Sequence, residues 1–259
     1  MHYYVAEKLN ADLSKPAVVH SNNLPWTPSQ TPGVERRFLE RDGGEVARAS
    51  SIVRYAPGSA FPRHVHDKGE EYLILNGVFS DEHGDFGKGA YVRNPPGSTH
   101  APFTKDGCII FVKLRQMPAS TKDALVVRTL DMKGAPTSVA GVTRTTLFES
   151  ETGETVAVET YAPGAQWLDR ATHKGEEFLV LEGDLLYGDY VCEEGAWLRF
   201  PPGRALPIRS KTGCKVWVKR VTCWLTAPGV TQSSSAARLK LMCRAAASNA
   251  RRPFNGGSR

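Results

Sequence analysis

The chain of 259 residues carries 33 Lys and Arg against 27 Asp and Glu, a formal net charge of +6, with 41% hydrophobic and 23% charged residues. That composition lies in the ordinary globular range and excludes collagen-like, fully disordered and disulfide-scaffold classes. The basic excess is local: no acid follows Glu194, and residues 227–259 hold Arg238, Lys240, Arg244, Arg251, Arg252 and Arg259 with no acidic residue, leaving 27 charges of each sign before them.

Residues 1–34 read as a lead-in to a first domain, with PAVVH (Pro16 to His20) as an edge strand and the turn-rich NNLPWTPSQTPG as a cover. The first residues lack the long apolar core of a secretory signal. No run approaches the roughly 18 to 20 apolar residues of a spanning helix, so a cytoplasmic location and no membrane partner are expected. The five cysteines (Cys108, Cys192, Cys214, Cys223, Cys243) are odd in number and form no C-x-x-C pair. Free thiols are therefore expected.

From Tyr55 the chain begins to repeat. YAPGSAFPRHVHDKGEEYLILNG (Tyr55 to Gly77) lies over YAPGAQWLDRATHKGEEFLVLEG (Tyr161 to Gly183) at an offset of 106. The same offset places Gly89 on Gly195, Pro95-Pro96-Gly97 on Pro201-Pro202-Gly203, and Gly107-Cys108 on Gly213-Cys214. A sustained offset means two copies of one domain in tandem: residues 1–120, including the lead-in, and residues 121–225, followed by a basic low-complexity tail over 226–259.

Within each copy the segments EEYLILNGVFS and EEFLVLEGDLLYG, and later IIFVKL and KVWVKRV, are short apolar and β-branched runs stopped by Gly and Pro. Such punctuation predicts an all-β fold of antiparallel strands closed into a barrel or double sheet, which removes exposed edges. The tail has no strand pattern and is expected to be mobile. Its six positive charges carry a single aromatic, Phe254, and no known binding motif, so no nucleic-acid partner is expected.

Of the seven histidines, His64, His66 and His100 of the first copy stand in a pattern, with Glu70 close behind the first two. His64 and His66 are two apart and share a face on an extended strand. Glu70 follows a tight Asp67-Lys68-Gly69 turn, and His100 follows the PPGST turn. Three imidazoles and a carboxylate converging in a barrel make an N/O ligand set for one divalent first-row metal with room for water or a small molecule. Glu71 should face the other way, and His83 falls in a hairpin turn.

In the second copy His64 becomes Arg170, His66 becomes Thr172 and His100 becomes Leu206, while Glu70 alone keeps its counterpart, Glu176. His173 stands one place out of register. The second domain is expected to carry no metal, its former site filled by an Arg170–Glu176 salt bridge. A small-anion pocket around Arg170 and Arg209 is the alternative. Cys108 and Cys214 read as buried small hydrophobes.

The run Gly58-SAFPR-His64-V-His66-DKG-Glu70-EYLILN-Gly77 resembles the first cupin motif, and Gly89-AYVRN-Pro95-P-Gly97-ST-His100 the second, with Thr104 where an Asn often stands. The wording GVFSDEHGDF…YVRNPPGSTHAP…GC is similar, more narrowly, to the cupin-like domain of ChrR anti-sigma factors, over most of residues 20 to 225 in two copies. This resemblance implies two tandem cupin barrels (double-stranded β-helix, jelly-roll-like). It also implies a zinc, iron or manganese ion held by His64, His66, Glu70 and His100, one per chain, in a stress- or oxidant-responsive regulatory protein. ChrR-type proteins carry a zinc-holding helical domain ahead of the cupin. The 30-odd residues here hold no cysteine and only His2 and His20, so direct sigma-factor binding is not expected. Other cupins with three His and one Glu use iron as dioxygenases on small diketone or hydroxyacetophenone-like compounds. That reading stays open, as does association of two chains.

Overall fold

The computed structural model describes residues 7–44, 46–168, 174–203 and 206–221. Among them are 21 strands and two 3-10 turns. In the first repeat Val34–Asp42, Arg48–Tyr55, Cys108–Leu114, Glu70–Asp81 and Ala90–Asn94 lie side by side in that order, all antiparallel. In the second, Val142–Glu149, Thr155–Tyr161, Cys214–Val221, Gly175–Tyr187 and Ala196–Phe200 repeat the arrangement. Two all-β barrels therefore stand in tandem, as the repeat predicts.

The edges differ from the sequence-based expectation. Ala17–His20 is a strand, but it does not lead into the first barrel: it pairs with Ala196–Arg199 of the second. Reciprocally, Leu125–Arg128, from the start of the second repeat, pairs with Ala90–Arg93 of the first. Each barrel thus lends its opening strand to the other's sheet. Hydrophobic alternation specifies which face of an edge strand is buried, but not whose edge it covers.

Strands that are apolar on both faces explain how the barrels join. In IIFVKL, Ile110 and Val112 face the first barrel's interior with Val34, Val53, Ile74 and Phe79, while Phe111 faces outward. The outward residues Leu39, Ile52, Leu73, Tyr91 and Phe111 meet Leu147, Val156, Leu179, Trp197 and Trp217 in a shared core, with the Phe111 and Trp217 rings 5.0 Å apart. Burial on both faces is what a continuous apolar run in a strand requires.

The frame is kept closely in both copies. Gly77 and Gly183 adopt φ of +74° and +77°, and a Cβ on either would lie 2.2 or 1.9 Å from the carbonyl oxygen of Gly107 or Gly213. No side chain fits there, so both turns need glycine for conformation and for clearance.

Candidate metal centre

His64 and Val65 form a two-residue strand that pairs antiparallel with Thr99–His100, placing His100 directly opposite His64. Opposed residues in an antiparallel pair project from the same face, so both imidazoles enter the barrel together. The turn that follows is pinned by backbone bonds: His66 N donates to Ser98 O at 2.9 Å, Gly97 N to His66 O at 2.8 Å, and Gly69 N to His66 O at 3.2 Å. Gly69, at φ +74°, turns the chain so that Glu70 opens the next strand inside the barrel. The expected four residues converge: His64, His66, Glu70 and His100 each offer a ligand atom within 4.8 Å of the others. The three imidazole rings lie 4.7 to 4.9 Å apart.

Neighbours fix how each ring presents itself. His64 Nδ1 lies 2.9 Å from Pro62 O, and His100 Nδ1 lies 3.0 Å from Asp81 Oδ2. Both contacts place the ring proton on Nδ1 and turn the Nε2 lone pair inward, an outer partnership typical of metal-binding histidines. Asn94 Nδ2 donates to Glu70 Oε2 at 3.2 Å and orients the carboxylate.

His66 Nε2 and His100 Nε2 are buried and have no hydrogen-bond partner, and each lies 3.5 Å from Glu70 Oε2. Leaving two buried ring nitrogens unpaired costs free energy unless something else accepts their lone pairs. Donors about 2.1 Å from one shared ion stand roughly 3 to 3.5 Å apart, and Glu70 Oε2 stands at that distance from both ring nitrogens. The donor set fits a divalent cation, and the four residues could hold one.

Electrostatics agree. Burial, and then the adjacent His100 and His64, push the His66 imidazole down to about 3. Burial also lowers His100, against the opposing pull of Asp81. Burial raises the Glu70 carboxyl to about 7, offset in part by the Asn94 hydrogen bond and the Arg36 charge. Burial thus disfavours charge on His66, His100 and Glu70, and a divalent ion bound among them would offset that cost by pairing with the ionised carboxylate and the neutral rings.

Beside the cluster is a cavity of about 230 Å3, reached by Arg36, Tyr55, Phe61, Phe79 and Ile110. A larger cavity of about 510 Å3 lies between the barrels, bordered by Trp26, Leu75 and Leu181, and shares none of the four residues.

Glu71 faces away, as its neighbouring position predicts: Tyr91 Oη donates to it at 2.6 Å and Arg93 at 3.0 Å in the inter-barrel layer. His83 sits in the Asp81–Gly84 hairpin. Thr104 Oγ1 donates to Val78 O at 2.6 Å, a structural role. Asp81, Asn94 and Arg36 escape the sequence reading. Asp81 is an odd number of residues from Glu70 and should face the opposite side. A β-bulge at Leu75, where Ile109 pairs with Asn76 and Ile110 with Ile74, shifts the register by one and returns Asp81 to the ligand face.

In the second barrel, Arg170, Thr172 and His173 lie outside the described residues, so the expected Arg170–Glu176 bridge and the Arg170 anion pocket cannot be placed. Glu176 accepts from Arg220 Nε at 2.9 Å and Tyr187 Oη at 3.0 Å. Arg209 is exposed on a two-residue strand. Among the described residues the first barrel's cluster is the one group able to hold a metal. Cys108, Cys192 and Cys214 are free and buried, each raised by burial to about 11. Cys223 and Cys243 fall outside the described residues, as do His2 and the tail.

Comparison with known proteins gives a consistent picture. A family model described as the ChrR cupin-like domain matches residues 14–118 and 122–223. No curated protein matches the chain. Among solved structures, a Nostoc punctiforme protein provisionally classed as a dioxygenase superposes with a TM-score of 0.66 at 15% identity, covering 80% of this chain and 82% of that one. A Pseudomonas aeruginosa protein provisionally classed as glyoxylate-induced gives 0.66 at 12% identity over 90% and 96% of the two chains. A bacterial pirin from Escherichia coli, solved in complex with nickel(II), gives 0.61 at 11% identity over 80% and 99%. At these identities the likeness is one of fold. Among the described residues no helix is long and apolar enough to cross a membrane.

Proposed function

Because this chain belongs to the family of ChrR cupin-like domains, we propose that its first barrel is a mononuclear divalent-metal centre that responds to an oxidant or small molecule in a stress-regulatory role. The observation that carries the reading is the pair of buried, partnerless Nε2 atoms of His66 and His100 facing the Glu70 carboxylate. When bound, a divalent ion supplies Lewis acidity and, if iron or manganese, redox reactivity at positions left open by four protein ligands. The protein's own part is to disfavour charge on the His66 and His100 imidazoles by burial, to aim His64 and His100 through Pro62 O and Asp81, and to fix Glu70 through Asn94. The buried thiols favour the metal as the responsive element. A thiol raised to about 11 is almost wholly protonated at neutral pH and is a poor target for oxidants.

The cavity of about 230 Å3 beside the cluster favours a second reading, an iron-dependent dioxygenase acting on a small diketone or hydroxyacetophenone-like compound. Phe61, Phe79 and Ile110 would exclude water from such a substrate. Elemental analysis of protein isolated without added metal separates the readings. Zinc held tightly with no oxygen uptake supports the regulatory role, and iron with oxygen consumption on adding a diketone supports the enzyme. Protein without metal, and unable to take up zinc, iron or manganese at one per chain, refutes both.

A further inference from the structure

The first barrel contains a cation with nothing to hold. Arg36 lies opposite Val53 in the sheet, and Val34, two residues earlier, belongs to the first barrel's core, so Arg36 projects from the same inward face and reaches the cavity beside the histidines. Among the described residues its guanidinium makes no ion pair and no hydrogen bond. Arg115, the other arginine lining that cavity, is paired with Asp67.

The second barrel shows what belongs there. Strand pairing sets Val34 against Tyr55 and Val142 against Tyr161, so Arg144 is the structural counterpart of Arg36. Arg144 donates from Nε and Nη2 to Glu159 Oε1 at 3.0 and 2.7 Å, and Tyr161 Oη donates to Glu159 Oε2 at 2.9 Å. Arg220 Nη1 adds a bond to the same carboxylate at 3.0 Å. In the first barrel the arginine and the tyrosine remain, as Arg36 and Tyr55, but Glu159 is replaced by Val53 and Arg220 by Leu114. The recognition pair survives and the internal carboxylate is gone. In its place is open volume, lined by Arg36, Tyr55 and Val53 and continuous with the cluster.

We propose that the first barrel binds a small carboxylate, held by Arg36 and Tyr55 as Glu159 is held by Arg144 and Tyr161, with its apolar part against Phe61 and Phe79. The volume, about 230 Å3, is below the roughly 300 to 1,000 Å3 of sites for drug-sized molecules, which limits the ligand to a short-chain or single-ring acid. An arginine fork paired with a carboxylate supplies affinity and orientation together. This deepens the reading of the metal centre by naming the class of molecule its cavity takes, but the carboxylate pocket is built from residues that are not its ligands.

The test is calorimetric or ligand-observed NMR binding of butanoate and benzoate, against butanamide and benzamide, to metal-loaded and chelator-treated protein. The acids should bind at least about tenfold more tightly than the amides. Arg36→Gln should weaken them by about 10- to 100-fold, as expected for lost hydrogen bonds to a charged group, with metal content unchanged. Val53→Glu recreates the register of Arg144 and Glu159, so it should fold, keep its metal and abolish binding of the acids by occupying Arg36. Equal binding by wild type and Arg36→Gln, or no binding of either acid, overturns the proposal; one metal per chain in that case leaves the metal reading standing. Arg36-dependent binding by a protein that takes up no metal supports the proposal and removes the metal reading.

Discussion

Lys113 of the first barrel donates to both carboxylate oxygens of Glu177 of the second, at 2.7 and 2.6 Å, with both side chains buried. At the repeat offset of 106 the relation inverts: Lys219 of the second barrel pairs with Glu71 of the first. Tyr91 caps Glu71 as Trp197 caps Glu177. The two copies are thus related by a pseudo-twofold axis through an exchanged pair of ion pairs, set among the aromatic rings of the shared core. Removing one partner of such a pair leaves a buried charge uncompensated. Lys113→Met alone, or Glu177→Gln alone, should cost about 3 to 5 kcal/mol. The combined Lys113→Met and Glu177→Gln change should cost distinctly less than the sum of the single changes, and urea unfolding of the three variants measures this. Additive single losses would show that the pair is not coupled.

Acid should act on the same layer. Burial alone would raise the Glu71 carboxyl, but Lys219, Arg93 and Lys113 outweigh it and hold it down to about 2. A carboxyl whose folded value is depressed contributes stability that is complete above its ordinary value near 4.5 and is lost as pH falls toward 2. Wild-type stability should therefore drop more steeply between pH 4.5 and pH 3 than that of Glu71→Gln, measured as denaturation midpoints. A wild-type slope no steeper than the variant's would refute the assignment.

Metal content should be one ion per chain. Replacing His64 and His66 with Ala should empty the site, whereas Glu176→Gln in the second barrel should leave the count unchanged. Atomic emission measurements on dialysed protein give the number directly. Two ions per chain would contradict the single cluster found among the described residues.

Asp81 should tune the site without being a ligand. Asp81→Asn keeps size but weakens the acceptor for His100 Nδ1, which lies 3.0 Å away. Loss of such an outer partner commonly lowers metal affinity about 10- to 100-fold. Competition with a chromophoric chelator should show that loss while the circular dichroism spectrum stays unchanged. Undiminished affinity would mean that His100 needs no help from Asp81.

The sequence disclosed the four clustered residues because they sit in short motifs where spacing nearly determines direction: His64 and His66 two apart, Glu70 just past a glycine turn. It disclosed the duplication because the offset of 106 holds from Tyr55 through the Gly-Cys turn. Asp81 was hidden by the bulge at Leu75, which breaks the two-residue period. Arg36 was hidden for a related reason: the strands that carry Arg36 and Arg144 are offset by 108, so a single alignment shift passes over the match. The swapped edge strands were hidden because the apolar residues of Ala17–His20 suit either barrel's edge equally. Local pattern thus gave the faces and the four-residue cluster, while partner choice and register shifts depended on contacts remote in sequence.

The exchange of opening strands has a bearing on how the two halves differ. A symmetric pair of separate chains must carry two identical sites, since every substitution appears in both. Here Ala17–His20 and Leu125–Arg128 tie the halves into one molecule while leaving each codon independent. One half can then trade its histidines for packing and serve as a permanent brace, while the other keeps the buried, electrostatically costly centre. A division of labour of this kind is closed to a homodimer and open to a duplicated chain.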